Sequence, residues 1–216
     1  MIEHNFEHMR RAMIANLLRT TGTNDPAVLA AIGDVPRERF VPQARLALAY
    51  ADAVVPLVPG RDMNNPMALG RLLTEAAPNK ADRALVIGAA TGYAAAVLSL
   101  LVGSVVAVEE EAELAAFARS ALAGYAVTLV EGPLGEGHAA GGPYDLIFVD
   151  GAIEFVPDAL IAQLADNGRL AAAMLDNGVS RLSLGRKAGE GFGTAAFTDA
   201  AAAVLPGFAK PKTFTF

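Results

Sequence analysis

Ala84-Leu-Val-Ile-Gly-Ala-Ala-Thr-Gly-Tyr93 is an apolar run that breaks into a glycine-flanked turn and continues as the alanine-rich segment Ala94–Val102. This order of residue types predicts a strand, a tight loop and the start of a helix. In an α/β protein such a junction receives an elongated, partly charged cofactor. Small residues let the backbone come close, and the helix N-terminus carries N–H groups that lack intrahelical partners.

Downstream of this stretch the chain alternates between short apolar runs and helical patterns. Strands are predicted at Arg83–Ile87, Ser104–Val108, Ala126–Val130, Asp145–Val149 and Gly168–Met174, and helices at Thr91–Leu101, Ala112–Ala123 and Asp158–Leu164. A glycine-laden loop follows the third strand through Gly142. Strands spaced by helices imply parallel βαβ units with right-handed crossovers. Further on, Asn177–Gly193 is glycine-rich and carries Arg181, Arg186 and Lys187, which reads as a hairpin or flap, and Lys210–Phe216 alternates as an edge strand does.

Upstream, Phe6, Met9, Met13, Leu17 and Leu18 recur near helical spacing and predict one apolar stripe laid on a larger body. Asp25-Pro26 is a helix-start signal for Ala27–Ile32, with an acceptor side chain at the cap and proline at the first helical position. Arg37, Glu38 and Arg39, in the connector Val35–Pro42, read on spacing alone as a solvated turn. The proline-bearing stretch Ala44–Gly60 suggests extended edge structure. Gly60–Pro66 reads as a polar loop into a helix over Met67–Ala76, with Asn64 or Asn65 as its cap.

Composition narrows the function classes. The 216 residues are 53% hydrophobic and 19% charged, which excludes a disordered chain and permits a substantial core. Gly, Pro or a charge interrupts every apolar run before bilayer-spanning length, so no membrane partner is expected. Acids occupy the first ten residues where a signal peptide would have basic and then apolar regions, and a cytoplasmic protein is expected. Zero cysteines remove disulfides, thiolate metal sites and cysteine nucleophiles. His4 and His8 lie four apart, but without a strong third ligand nearby they read as a solvated helix face. A net charge of −6 without a Lys/Arg-dense block argues against a nucleic-acid surface.

Ligands in doubly wound sheets sit at the carboxyl ends of the strands, which makes neighbours of Gly88–Gly92, Glu109, Glu131 and Asp150. Glu109 lies 21 positions after Gly88, where an acid accepts hydrogen bonds from the ribose hydroxyls of an adenosine moiety. The register Gly88-x-Ala90-x-Gly92-Tyr93 fails the dinucleotide fingerprint, which makes an NAD-linked oxidoreductase a distant alternative. Three carboxylates suit a ligand with adenosine, a cationic sulfonium and an ammonium but no phosphate. S-adenosylmethionine is that ligand. The candidate cofactor-binding set is Gly88, Ala89, Ala90, Gly92, Tyr93, Glu109, Glu110, Glu131, Gly132 and Asp150.

Seven segments carry a resemblance over nearly the full chain: Asp25–Ile32, Val35-Pro-Arg-Glu-Arg-Phe-Val-Pro42, Ala49-Tyr-Ala-Asp52, Ile87–Tyr93, Val108-Glu109, Tyr144-Asp145 and Asn167-Gly-Arg-Leu170. On these the sequence resembles the protein-L-isoaspartate O-methyltransferase family. The proline-arginine-x-x-phenylalanine-valine-proline connector is specific to that family, whereas the glycine turn is shared by many methyltransferases. The resemblance implies a Rossmann-like class I methyltransferase: α/β, with a mostly parallel seven-stranded sheet, helices on both faces and an N-terminal helical extension. It divides one domain into an acceptor-side part at 1–80, a cofactor core at 81–176 and C-terminal strands at 177–216. It also implies S-adenosylmethionine as cofactor, an isoaspartyl peptide or protein as substrate in protein repair, and a monomer or dimer.

The same comparison shows departures. Where the family has glycine-glutamine-threonine-isoleucine-serine-glutamine-proline, this sequence has Gly60-Arg-Asp-Met-Asn-Asn-Pro66, so Asn64 replaces the serine of the methyl-transfer site and Asp62 the threonine. Asn64 and Asp62 are thereby the candidate catalytic residues. Val86 stands for a family glutamate and Ala90 for the middle glycine. Two alternatives to the isoaspartyl activity follow: a changed acceptor, or a cofactor-fold module without catalysis.

Overall fold

The computed structural model describes residues 5–210. An N-terminal helix α1 (Phe6–Met13) passes into a π turn over Ile14–Leu18. Helix α2 (Pro26–Asp34) follows, capped as expected by Asp25, whose carboxylate accepts from the N–H groups of Ala27 at 2.8 Å and Val28 at 3.1 Å. The stretch read as extended from Ala44 instead begins as a 3-10 turn over Gln43–Leu48. It then forms a separate antiparallel ribbon of β1 (Val55–Val58) and β2 (Arg61–Met63), so the segment after Gly60 is a strand rather than a loop. Asn65 is the cap of α3 (Pro66–Ala76), its side-chain oxygen accepting from the N–H of Ala68 at 2.7 Å.

The main sheet contains β3 (Arg83–Ile87), β4 (Ser104–Glu109), β5 (Val127–Glu131), β6 (Tyr144–Ile153), β7 (Leu164–Asp176), β8 (Val179–Ala188) and β9 (Gly191–Asp199) in the order β5-β4-β3-β6-β7-β8-β9. The first five in that order are mutually parallel, and β8 runs antiparallel to its two neighbours. The sequence segment 177–193 is therefore mostly a hairpin of the sheet itself. Strand order reverses beside β3, so the turn after Ile87 opens at the switch point where α/β sheets receive ligands.

β3 is buried on both faces, and its alternation divides the core. Ala84 and Val86 face a large cluster that includes Leu69, Leu72 and Val97, from α3 and from α4 (Tyr93–Ser99). Helix α5 (Ala112–Ala121) contributes Ala118 and Ala121 to the same cluster. Leu85 and Ile87 face a second cluster, covered by the short α6 (Asp158–Ala162), by Leu134 and by Leu205 and Phe208 of the chain after β9. Between β5 and β6 the glycine-rich segment forms only two 3-10 turns, so coil and C-terminal tail do the covering a helix would do. That tail is laced to β6: Ala152 N–H donates to Ala203 O at 2.6 Å and Leu205 N–H to Ala152 O at 3.0 Å. Among the described residues no helix is long and apolar enough to cross a membrane. The edge-strand reading of Lys210–Phe216 concerns residues that, after Lys210, lie outside the described ones, as does His4.

Candidate active site

The turn after β3 holds three residues at positive φ, Gly88 at 75°, Ala90 at 50° and Gly92 at 99°. A side chain on Gly88 would come within 2.9 Å of Leu205, and one on Gly92 equally close to Leu122, so both glycines also serve close packing. Gly92 at its left-handed φ is the N-cap of α4, which is why that helix begins at Tyr93 and not at Thr91. The N–H groups of Gly88 and Ala89 both donate to Val108 O, at 3.1 and 3.0 Å, and that of Gly92 to Ala89 O at 2.7 Å. Ala90 N–H donates to Glu109 Oε2 at 2.6 Å. A pyrophosphate is held by free N–H groups, and these four are engaged within the protein.

Glu109 ends β4 fully buried. Besides Ala90, it accepts from the N–H groups of Glu110 at 3.1 Å and Glu111 at 3.0 Å. Its remaining partner is Arg61 of β2, equally buried, in a bidentate pair: Nη1 bonds Oε1, and Nη2 bonds Oε2 at 2.7 Å. Two parallel N–H···O bonds are the strongest way a guanidinium engages a carboxylate. The third guanidinium nitrogen, Nε, is buried without a hydrogen-bond partner.

Asp150, in β6, is buried beside Asn64, whose Nδ2 donates to Oδ1 at 3.3 Å. Burial raises the Asp150 carboxyl to about 6; the Asn64 hydrogen bond and the charges of Arg37 and Arg61 pull it down, and Glu109 pushes it further up. Asn64 Oδ1 accepts from the N–H groups of Asn65 at 3.0 Å and Ala203 at 3.3 Å, and Asn65 Nδ2 donates to Ala201 O at 2.6 Å. The candidate acceptor loop, the end of β6 and the tail thus form one knot.

The connector read as a solvated turn contains the most deeply buried arginine of the chain. Arg37 is 1% exposed: its Nε donates to Ala49 O at 2.8 Å, its Nη2 to Asn64 O at 2.6 Å, and its guanidinium lies 4.6 Å from the ring centroid of Tyr93. Desolvation lowers its pKa, an effect that the facing Tyr93 and Asp150 oppose. Burial also raises the Tyr93 phenol to about 12. Next to Arg37, Glu38 accepts from Tyr50 Oη and sits 3.7 Å from Arg10. The local rule that charged residues between prolines face water fails here, because the two backbone carbonyls and the aromatic face replace the lost hydration.

The structure therefore brings together Gly88, Ala89, Ala90, Gly92, Tyr93, Glu109, Asn64 and Asp150, all buried. Glu131 is the strand partner of Glu109, but its side chain is exposed and paired with Arg119 at 2.5 Å. Glu110 is exposed, while Gly132 is half-buried and donates its N–H to Glu109 O at 3.1 Å. Asp62 is half-buried between the buried Arg61 and Met63, so strand alternation turns it to the other side of β2 from Arg61. Sequence reasoning missed Arg61, Arg37 and Leu205. Only the flanking Pro36 and Pro42 and the alternation of Arg61-Asp-Met63 signalled that these charges could turn inward.

No group of three His, Cys, Asp or Glu side chains among the described residues is placed to hold a metal ion. For S-adenosylmethionine the donor set fits: an acid ends the second strand of the switch point, a left-handed small-residue turn adjoins it, and the buried hydroxyl of Thr91 in that turn has no partner. The carboxylate of Glu109 is engaged by Arg61.

A doubly wound sheet with an acid-rimmed small-residue turn at its switch point defines a Rossmann-like methyltransferase. The model of the family protein-L-isoaspartate(D-aspartate) O-methyltransferase (PCMT) matches residues 8–200, and the chain belongs to that family. It is 38% identical over 168 residues to protein-L-isoaspartate O-methyltransferase 1 of Rhodopseudomonas palustris (strain HaA2), covering 76% of this chain and 69% of the relative. With the protein-L-isoaspartate O-methyltransferase of Koribacter versatilis it shares 40% over 164 residues, 74% of each chain. A solved protein-L-isoaspartate O-methyltransferase superposes with a TM-score of 0.80 at 25% identity, over 92% of this chain and 66% of the other. A Plasmodium falciparum chain solved in complex with S-adenosyl-L-homocysteine shares the fold, with a TM-score of 0.73 at 18% identity over 94% of this chain and 99% of that one.

Proposed function

We propose that this protein transfers a methyl group from S-adenosylmethionine to the carboxylate of isoaspartyl residues in peptides and proteins. The observation that carries this reading is the convergence of Asn64, from the β2–α3 junction, on Asp150 beside the cofactor turn, at 3.3 Å. That convergence supports a role for the Asn64 amide as the donor that an acceptor carboxylate meets. When bound, the cofactor supplies a methyl group on a sulfonium, which an already ionised carboxylate attacks without a general base. The protein's work is alignment and exclusion of water. Glu109 holds the ribose hydroxyls, while Gly88, Ala89, Ala90, Gly92 and Asp150 line the cofactor. Asn64 Nδ2 donates to the acceptor oxygen. Arg37 is a positioning residue that fixes Asn64 through its carbonyl. Asp62 contributes charge at the rim.

Incubation with cofactor and a matched pair of peptides, one isoaspartyl and one aspartyl, tests the reading by mass spectrometry. One methyl on the isoaspartyl peptide and none on its isomer is the expected result. Binding of S-adenosyl-L-homocysteine by calorimetry without isoaspartyl methylation would instead favour a changed acceptor, a reading supported by Asn64 in place of the family serine. The net charge of −6 supports the absence of a nucleic-acid partner. A cytoplasmic location and a monomeric or dimeric state belong to the same proposal.

A further inference from the structure

We infer that Arg61 is an internal competitor for the cofactor's ribose site, so that binding exchanges the guanidinium for the ligand at Glu109. This inference rests on the S-adenosylmethionine reading. Glu109 accepts five hydrogen bonds, three from backbone N–H groups that belong to the turn and strand end and two from Arg61. A carboxylate offers about four lone-pair sites. The capacity of Glu109 is already filled, so a ribose hydroxyl can be accommodated only where Arg61 now bonds.

Charge leads to the same exchange. Arg61 and Arg37 both act on Asp150, so two buried guanidinium groups are already set against the buried carboxylates of Glu109 and Asp150. A sulfonium and an ammonium entering beside a retained Arg61 would meet like charge in a buried setting. Replacing one cation by another keeps the balance. A phosphate-bearing ligand would call for the opposite arrangement, with the arginine kept.

The arginine is also mounted where it can leave. It sits on β2 in the two-stranded ribbon, outside the seven-stranded sheet, next to the exposed Gly60, around which a side chain would meet nothing within 4 Å. Its Nε lacks a partner in the present seat, a defect that a purely structural ion pair would carry without return.

Calorimetric titration of S-adenosyl-L-homocysteine into the full chain and into Arg61→Gln tests the exchange. Glutamine removes the charge and the bidentate grip, and binding at least tenfold tighter than wild type is expected. Equal or weaker binding by a cooperatively melting Arg61→Gln overturns the inference while the wild-type titration leaves the methyltransferase reading standing. If neither protein binds, both fall together. Should Arg61→Gln fail to fold, the wild-type Arg61 Nε–H resonance in the 15N–1H spectrum, assigned by difference with Arg61→Lys, decides. Its chemical shift must change and its protection from solvent exchange must drop at saturating ligand. An unmoved, protected signal overturns the exchange.

Discussion

Asp150 shows how a buried carboxylate burdens the fold that carries it. Its carboxyl titrates near 6 in the folded chain against 3.8 in the unfolded one. Between those values the native state holds a proton that the unfolded state has lost, so stability falls as pH rises from about 4 to 6 and is flat above. Asp150→Asn keeps an oxygen for Asn64 and removes the charge. Urea unfolding should find the variant more stable than wild type at pH 7.5 by about 2–3 kcal/mol, the equivalent of a two-unit shift, with the advantage gone near pH 4. Equal stability at both pH values would mean that Arg37 and Arg61 fully compensate the burial. Asn64 poses the complementary question. The double change Asp62→Thr with Asn64→Ser restores the family's residues and, by removing the Asp62 charge that repels an anionic acceptor, should raise turnover on an isoaspartyl peptide by about tenfold if the acceptor is isoaspartyl, roughly 1.4 kcal/mol off the barrier. Because Asn64 Oδ1 also accepts from Asn65 and Ala203, the same variant should melt at a lower temperature. Zero turnover in both forms would speak against the isoaspartyl acceptor.

The elements differ in how openly the sequence announces them, and the reason is where their partners lie. β3, β4 and α5 read well because periodicity is local and each packs as its pattern demands. Asp25 and Pro26 likewise start α2 through contacts two and three residues away. Of the two-stranded ribbon, β1 falls within the stretch that reads as extended, whereas β2 was not legible, because a three-residue strand has too short an alternation to register. The burial of Arg37 depends on Ala49 and Asn64, 12 and 27 residues away, and that of Arg61 on Glu109, 48 away. No composition rule reports such partners in advance. So the convergence of Gly88, Glu109 and Asp150 at the strand ends was visible in the sequence, whereas the engagement of Glu109 by Arg61 and the tail that covers the turn were not. Asn65 links these two classes, as a cap legible from sequence and a donor to Ala201 that is not. Asn65→Ala should therefore cost more than the ~1 kcal/mol typical of a lost cap, reaching about 2 kcal/mol as the Ala201 carbonyl also loses its donor. Chemical denaturation checks the sum, and a loss confined to the cap value would show that the tail is held by other contacts.

Across the whole molecule the two faces of the sheet are unequally protected, and this asymmetry links stability to the site. One face is packed by α2, α3, α4 and α5, while the other, under Leu85, Ile87 and Val149, relies on α6, Leu134 and the tail residues Leu205 and Phe208. The residue that closes this thin face is also the one that rests on Gly88 and Gly151, where a side chain would come within 2.9 and 2.6 Å of Leu205. Leu205 is 3% exposed, so truncating it leaves a cavity whose cost falls in the range of about 2–5 kcal/mol found for buried Leu→Ala changes. Leu205→Ala should accordingly lower the melting temperature by several degrees. It should also loosen the turn locally: hydrogen exchange at the N–H groups of Gly88, Ala89 and Leu205 should accelerate more than at Leu182 and Leu184 of β8, which pack in the opposite cluster. A uniform acceleration across the sheet would instead mean that the tail stabilises the molecule globally and does not set the turn proposed to receive the cofactor.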